Sequence, residues 1–227
     1  MIKVVLADDH HLVRQGIRAL LERDKRIQIV GEAPDGREAL ELITRHQPDV
    51  AIVDIRMPMP NGIMVIDQVQ ALKLPTKVIV LSMYDDDTLV RRALRHGASG
   101  YLLKYSVAEE LPLAIHAAMQ NQRYLSPAVS KAALADLLEE EMGKGDGKDR
   151  DPLDRLSPRE RQVLQLLVEG YTNAAVANKL TISVKTVEKH RANVMNKLQA
   201  QDLVGLIRLA MKYRLIIPDE MPLAHET

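Results

Sequence analysis

The run Val50-Ala51-Ile52-Val53, ending on Asp54, constrains this chain more than any other stretch. Four small or branched apolar residues in succession read as a strand buried on both faces, as in a parallel sheet. In open sheets of that kind, ligands sit outside the carboxyl ends of the strands. A carboxylate as the last strand residue, ahead of Ile55-Arg56-Met57-Pro58, therefore stands where a site would be built. Asp54 would equally well cap a helix or begin a turn, and this segment alone leaves both readings open.

The same pattern recurs along the first 120 residues. Ile2 to Ala7 is a short apolar run ending at Asp8-Asp9, and Leu12 to Leu21 has helical spacing. Ile27 to Ala33 alternates as a strand, and Gly36 to Ile43 is helical behind Asp35 as cap. Beyond Asp54 come a helix over Ile63 to Leu72 and a buried strand over Val78 to Leu81 that ends at Ser82. Asp85-Asp86-Asp87 provides caps and favourable charge for a helix that stops at Gly97. Gly100 to Leu103 is a fifth strand and Ala108 to Met119 a fifth helix, after which the strand pattern ends. Strands alternating with helices of this length predict a doubly wound, five-stranded parallel α/β sheet.

Strands laid side by side would bring Asp8, Asp9, Asp54, Ser82 and Lys104 to one edge. Each has an ordinary role alone, as a cap or a solvated charge. Together they make a site of three carboxylates, a hydroxyl and an ammonium. Clustered carboxylates repel unless a cation sits among them, and oxygen ligands that leave room for water suit Mg²⁺.

At these residues the chain resembles the receiver domain of two-component response regulators, a flavodoxin-like fold. The matching features are Asp8-Asp9, the segment D-I-R-M-P-x-x-x-G from Asp54 to Gly62, Ser82, Tyr101 and Lys104. The resemblance implies that a histidine kinase phosphorylates Asp54. It implies that Asp9, Asp54 and the Arg56 backbone carbonyl ligate Mg²⁺, with Asp8 assisting through water. Ser82 and Lys104 would bind phosphoryl oxygens, and Tyr101 would be the aromatic that swings inward. Metal, ammonium and hydroxyl around the acceptor are what phosphoryl transfer needs, because charge spreads over the equatorial oxygens. Tyr105, where many receivers carry Pro, and Pro60 depart from the pattern.

The net charge of zero hides an asymmetry: residues 152–217 carry 11 Lys+Arg against 5 Asp+Glu, whereas residues 1–125 carry 16 of each. A basic segment beside a neutral one is the footprint of a nucleic-acid-binding domain. Between them, Ser126-Pro127 begins a helix that runs to Met142, and the stretch from Gly143 to Pro152 has three glycines and nothing to bury. Ten residues of flexible coil span roughly 18 Å on average.

Leu156-Ser157-Pro158-Arg159-Glu160 is a strong helix start, and the helix runs to Gly170. Asn173 to Leu180, the turn Thr181-Ile182-Ser183 and Val184 to Leu198 read as a helix-turn-helix, with a fourth helix over Asp202 to Met211. Val187, Val194 and Leu198 form the inward stripe of the third helix, so its polar residues face outward. Residues 156 to 213 resemble the LuxR or NarL/FixJ-type DNA-binding domain, which implies that the third helix enters the major groove. Lys185, Thr186, Glu188, Lys189 and Arg191 would then meet bases or phosphates, with Asn193 and Lys197 on the same polar surface. The fourth helix would support dimerisation, and His190 reads as a packing residue. Ala175 and Ala192 depart from relatives that are acidic or basic there, so no operator sequence transfers.

The expected organisation is a receiver over residues 1–122, a linker helix and coil over 123–152, an all-α four-helix DNA-binding domain over 153–217 and a tail over 218–227. The expected function is a transcription regulator that accepts phosphate on Asp54 and binds promoter DNA as a homodimer on two half-sites. A phosphorylation-independent regulator that uses the receiver as a protein-interaction surface is the alternative. The absence of Cys excludes disulfides, thiolate zinc sites and cysteine nucleophiles. An Asp-nucleophile phosphatase needs a second acid two residues on, where this chain has Arg56, so enzymic turnover beyond self-phosphorylation and its reversal is not expected. With no long apolar run and no leader, the site of action is expected to be the cytoplasm, without membrane contact.

Overall fold

With neither Phe nor Trp available, the core is built from aliphatic side chains on strands that alternate between two faces. The computed structural model describes residues 1–58, 60–129, 152–213 and 215, which fall into two compact units, one within residues 1–145 and one within 146–227.

In the first unit β1 (Ile2–Ala7), β2 (Ile27–Ala33), β3 (Val50–Asp54), β4 (Lys77–Ser82), β5 (Gly100–Leu103) and β6 (Tyr124–Leu125) form one parallel sheet in the order β2-β1-β3-β4-β5-β6. The intervening helices are α1 (His11–Leu21), α2 (Gly36–His46), α3 (Gly62–Ala71), α4 (Asp87–Arg95) and α5 (Val107–Met119). Val5, Ala7, Ala51, Val53, Val78 and Val80 pack with residues of α2, α3 and α4 on one face. Val4, Leu6, Val50, Ile52, Ile79 and Leu81 pack with α1 and α5 on the other. The caps act where small polar residues precede helices: Asp35 accepts the Glu38 N–H at 2.9 Å, and Asp86, central in the triple-Asp run, accepts those of Thr88 and Leu89. Gly97 ends α4 at φ +100°, which only glycine adopts without strain.

The sheet has six strands among the described residues, not five. β6 is two residues long, too short for a periodicity to register, and it exists because Gly100 and Tyr101 of β5 pair with Tyr124 and Leu125. Tyr124 and Leu125 pack against opposite core faces, so the sheet continues past residue 122. Beyond it Pro127 and Ala128 form a turn. The rest of the helix read over Ser126 to Met142, the coil from 143 to 151 and the tail from 218 lie outside the described residues.

The second unit opens with a 3₁₀ turn, Pro152–Arg155, which the sequence pattern did not announce. Then follow α6 (Pro158–Val168), α7 (Asn173–Leu180), α8 (Val184–Leu198) and α9 (Leu203–Lys212). The helix start read at Leu156 to Glu160 is a capping box: the Ser157 hydroxyl accepts the Glu160 N–H, and the Glu160 carboxylate accepts the Ser157 N–H at 2.8 Å. Thr172 and Ser183 cap α7 and α8 one way only, their hydroxyls accepting the Ala175 and Thr186 N–H groups. Thr181, at φ +54°, turns the chain between them. Leu153, Leu156, Leu164, Val168, Val194, Leu198, Leu206 and Ala210 close a separate core. No helix among the described residues is long and apolar enough to cross a membrane.

Candidate functional site

Strand order reverses between β1 and β3, and the residues at their carboxyl ends are Asp8 and Asp54. That switch point is where open α/β sheets bind ligands. Register aligns Ala7 with Val53, Asp54 with Leu81 and Ser82 with Leu103, so Asp8, Asp54, Ser82 and Lys104 all emerge at one edge. Asp8, Asp54 and Ser82 are buried. The Lys104 ammonium lies 2.7 Å from Asp54 Oδ2 and 2.8 Å from Asp8 Oδ2, bridging the two carboxylates.

The electrostatics follow from that burial. Loss of solvent pushes the Asp54 carboxyl up to about 6, Asp8 adds to the rise, and Lys104 opposes it. For Lys104, burial works against the charge but the two carboxylates outweigh it, so the ammonium is held above its ordinary value. Asp54 Oδ1 also accepts the Arg56 N–H at 3.2 Å. Asp8 Oδ1 accepts the His10 N–H at 2.8 Å, while Arg14 holds the Asp8 carbonyl at 2.6 Å.

Ligand atoms of Asp8, Asp9, His10 and Asp54 lie within 4.8 Å of one another. Asp8 Oδ2 is buried without an aligned hydrogen-bond donor, although Lys104 is close. A cluster dominated by carboxylate oxygens, with one of them lacking a hydrogen bond, fits a hard divalent cation. His10 was not singled out from sequence; its Nδ1 stands 2.7 Å from Asp9 Oδ1.

Ser82 does not contact the carboxylates directly among the described bonds. Its hydroxyl accepts the Tyr84 N–H at 3.0 Å and lies beside the Tyr101 phenol. Tyr101 is fully buried and donates to the Tyr84 carbonyl at 2.8 Å; burial pushes the phenol pKa above its ordinary value, which keeps the donor protonated. Tyr84, absent from the sequence reading, thus joins Ser82 to Tyr101, and the Arg56 guanidinium reaches its hydroxyl at 3.2 Å and its ring centroid at 5.5 Å. One signal was available: the chain has six aromatic residues, all Tyr, and four lie between positions 84 and 124. Gly62 closes the loop after Asp54. A Cβ there would stand 2.5 Å from the Asp54 carbonyl oxygen, so α3 approaches the site only through a glycine.

On α8 the inward stripe is Val187, Val194 and Leu198, as read from sequence. Lys185, Glu188 and Lys189 are exposed, whereas Thr186, Arg191 and Asn193 are partly covered. Arg191 lies one helical turn from Val187 and borders the core. Thr186 shares a hydrogen bond with the Ser183 cap at 2.7 Å. The Lys197 ammonium sits 2.7 Å from Glu160 Oε2 on α6, tying the end of α8 to the capping box. Asn196, not named from sequence, is exposed on the same face as Lys185 and Lys189. His190 is partly buried beside the stripe, consistent with packing.

A family model for the response regulator receiver domain matches residues 4–116, and one for bacterial regulatory proteins of the luxR family matches residues 154–210. The oxygen regulatory protein NreC of Staphylococcus carnosus is 35% identical over 216 residues, covering 95% of this chain and 99% of that protein. Among solved structures, the signal receiver domain of the response regulator NarL from Mycobacterium tuberculosis is 42% identical, covers 52% of this chain and 96% of its own, and superimposes with a TM-score of 0.51. RcsB from Salmonella enterica serovar Typhimurium, bound to promoter P1flhDC with the phosphomimetic BeF3-, is 28% identical over 93% of this chain and 98% of its own, with a TM-score of 0.59. The order of the two matches, the sheet edge carrying Asp8, Asp54 and Lys104, and the helix-turn-helix agree, and the chain belongs to the two-component response regulators of the NarL/FixJ type, a receiver joined to a LuxR-type DNA-binding domain.

Proposed function

We propose that Asp54 accepts a phosphoryl group from a histidine kinase and that the aspartyl phosphate raises the affinity of the chain for promoter DNA. The observation that carries this is the Lys104 ammonium held between Asp54 and Asp8 at a buried sheet edge. An Asp54 carboxylate oxygen attacks phosphorus, and the bond to the donor histidine nitrogen breaks with its electron pair leaving on that nitrogen. Lys104 and the Ser82 hydroxyl then turn to the phosphoryl oxygens, and Tyr101 packs behind Ser82. Asp9, Asp54 and the Arg56 carbonyl would hold Mg²⁺, with Asp8 acting through water. Such an ion, when bound, neutralises charge on the transferring group. The chemistry ends with self-phosphorylation and its reversal, and turnover of a generic phosphate monoester is not expected.

The DNA interface is α8, with Lys185, Thr186, Glu188, Lys189, Arg191, Asn193 and Lys197 as its polar residues. Lys185 and Lys189 are the freest to reach phosphate, and Lys197 is shared with Glu160. Two copies joined through their receivers would read two half-sites, and linking them raises effective concentration without a new contact. Dimers of RcsB bound to DNA support a dimer on DNA. The organisation proposed is a receiver over residues 1–122, a linker over 123–152, a DNA-binding domain over 153–217 and a tail over 218–227, with β6 adding Tyr124 and Leu125 to the receiver sheet. The setting is cytoplasmic.

A second reading has one observation in its favour: Tyr101 is already buried against Tyr84 and Ser82, as it would be after phosphorylation. The receiver would then be a constitutive interaction surface. Asp54→Asn separates the two. Under the first reading it abolishes the gain in DNA affinity that acetyl phosphate and Mg²⁺ give the wild type; equal affinity and equal salt dependence of mutant and phosphorylated wild type favour the second.

A further inference from the structure

Ser126 stands where the chain leaves the sheet, immediately after β6, and is 1% exposed. Its N–H donates to the Tyr101 carbonyl at 3.0 Å and its carbonyl accepts the Val129 N–H at 2.8 Å. These bonds are what any strand end would make. The hydroxyl is different. It accepts the Leu103 N–H at 3.0 Å and donates its own proton to a Glu110 carboxylate oxygen on α5.

Leu103 is the last residue of β5, and Lys104 follows it. Its N–H points to the β6 side, where a longer strand would supply the next carbonyl of the ladder. β6 ends at Leu125, and a buried N–H left without a partner is costly. The serine oxygen takes that place. Glu110 fixes the direction of the hydroxyl proton, which leaves a lone pair for Leu103, and the charge strengthens the bond. The hydroxyl therefore ties the strand end that carries Lys104 to helix α5, and the backbone carbonyl of the same residue holds the first turn of the outgoing chain. Alanine would keep the backbone bonds to Tyr101 and Val129 and lose both hydroxyl bonds.

We propose that Ser126 is a positioning residue that clamps the Lys104 end of β5 to the chain leaving the receiver, so that the shift of Lys104 on phosphorylation is carried into the outgoing chain. This rests on the phosphorylation switch proposed above. Lys104 must release one Asp54 oxygen to engage a phosphoryl oxygen, and a peptide unit hydrogen-bonded to Ser126 cannot follow without moving Ser126 or breaking that bond.

The test uses full-length wild type, Ser126→Ala and Glu110→Gln. The DNA is a duplex fragment selected from genomic DNA by the acetyl phosphate-treated wild type. Occupancy of Asp54 is read by intact mass, operator affinity by titration, and the Leu103 and Val129 amides by hydrogen exchange, each with and without acetyl phosphate and Mg²⁺. At equal occupancy, Ser126→Ala is expected to cut the phosphorylation-induced gain in affinity at least about fivefold, within the usual range of coupling between sites. Exchange at Val129 should then cease to respond to phosphorylation. Glu110→Gln should reduce the gain less, in the same direction, and it carries the test if Ser126→Ala does not fold. An unchanged gain and an unchanged Val129 response in either folded variant overturn the proposal, as does lower thermal stability with the gain intact, the mark of a purely structural residue. A wild type without any gain is visible in its own titration; it defeats the switch reading itself, and the clamp falls with it.

Discussion

Lys104 supplies the positive charge that lets Asp8 and Asp54 be buried side by side. Removing one partner from a buried charged group typically costs about 3–5 kcal/mol, because the remaining charges keep their desolvation penalty and lose their attraction. In Lys104→Met two buried carboxylates would face each other without a counter-ion. The variant should lose about 3 kcal/mol against urea at pH 7.5 in EDTA, and millimolar Mg²⁺ should recover part of that loss by binding the folded state alone. Unfolding followed by far-ultraviolet circular dichroism reads both effects. Equal stability of variant and wild type in EDTA would show that the ammonium is dispensable to the acidic edge. Asp8, Asp54, Ser82 and Lys104 were legible in sequence because each ends or adjoins an aliphatic run, and parallel strands bring their ends to one side. Tyr84 and His10 were not: Tyr84 meets Tyr101 and Arg56 across loops, and His10 lies just past the strand end beside Asp8 and Asp9, so neither belongs to a period in the sequence.

Among the elements, α6 and α8 are joined by Glu160 and Lys197, a contact that engages one lysine of α8 while Lys185 and Lys189 stay exposed. Burial alone would raise the Glu160 carboxyl, but the bonds from Lys197 and the Ser157 N–H hold it at about 2, below the ordinary 4.5. The folded state thus binds the proton more weakly than the unfolded chain. The stabilisation is complete above pH 4.5 and lost as pH falls through about 2. Glu160→Gln keeps the capping acceptor and removes the charge, so its deficit, about 1 kcal/mol given the solvent around Lys197, should shrink between pH 5 and 2. A deficit constant across that window would assign the effect to packing. The same contact sets the DNA prediction. Each phosphate neutralised contributes about 0.9 to the slope of log affinity against log salt. Lys189→Ala should lower that slope by about 1, whereas Lys197→Ala should leave it nearly unchanged and reduce thermal stability instead. Equal losses of slope would put Lys197 on the DNA backbone. Four helices, the Ser157 start of α6 and the inward stripe of α8 could be read from spacing. The destination of Lys197 could not, because nothing in a helix's own period says which distant carboxylate its last turn meets. β6 escaped for a related reason: two residues carry no alternation, and only pairing with Gly100 and Tyr101 makes them a strand.

At the scale of the whole molecule, the receiver cores and the DNA-binding core share no residue among those described, so any communication between acidic edge and α8 is a coupling between separately folded units. Such a coupling is reciprocal: if occupying the acidic edge raises operator affinity by some factor, operator must raise affinity at the acidic edge by that factor. Beryllofluoride makes the statement measurable, because it binds reversibly where a phosphoryl group would be covalent. The expected outcome is that saturating beryllofluoride with Mg²⁺ tightens operator binding about 5- to 150-fold, and that saturating operator tightens beryllofluoride binding equally. Both titrations are run on the full chain at one protein concentration and one salt, since dimerisation and counterion release would otherwise enter the two factors unequally. Asp54→Asn should remove both effects together. Operator affinity that rises with beryllofluoride while beryllofluoride affinity ignores operator would violate the cycle, and would mean that the anion acts on DNA binding from somewhere other than Asp54.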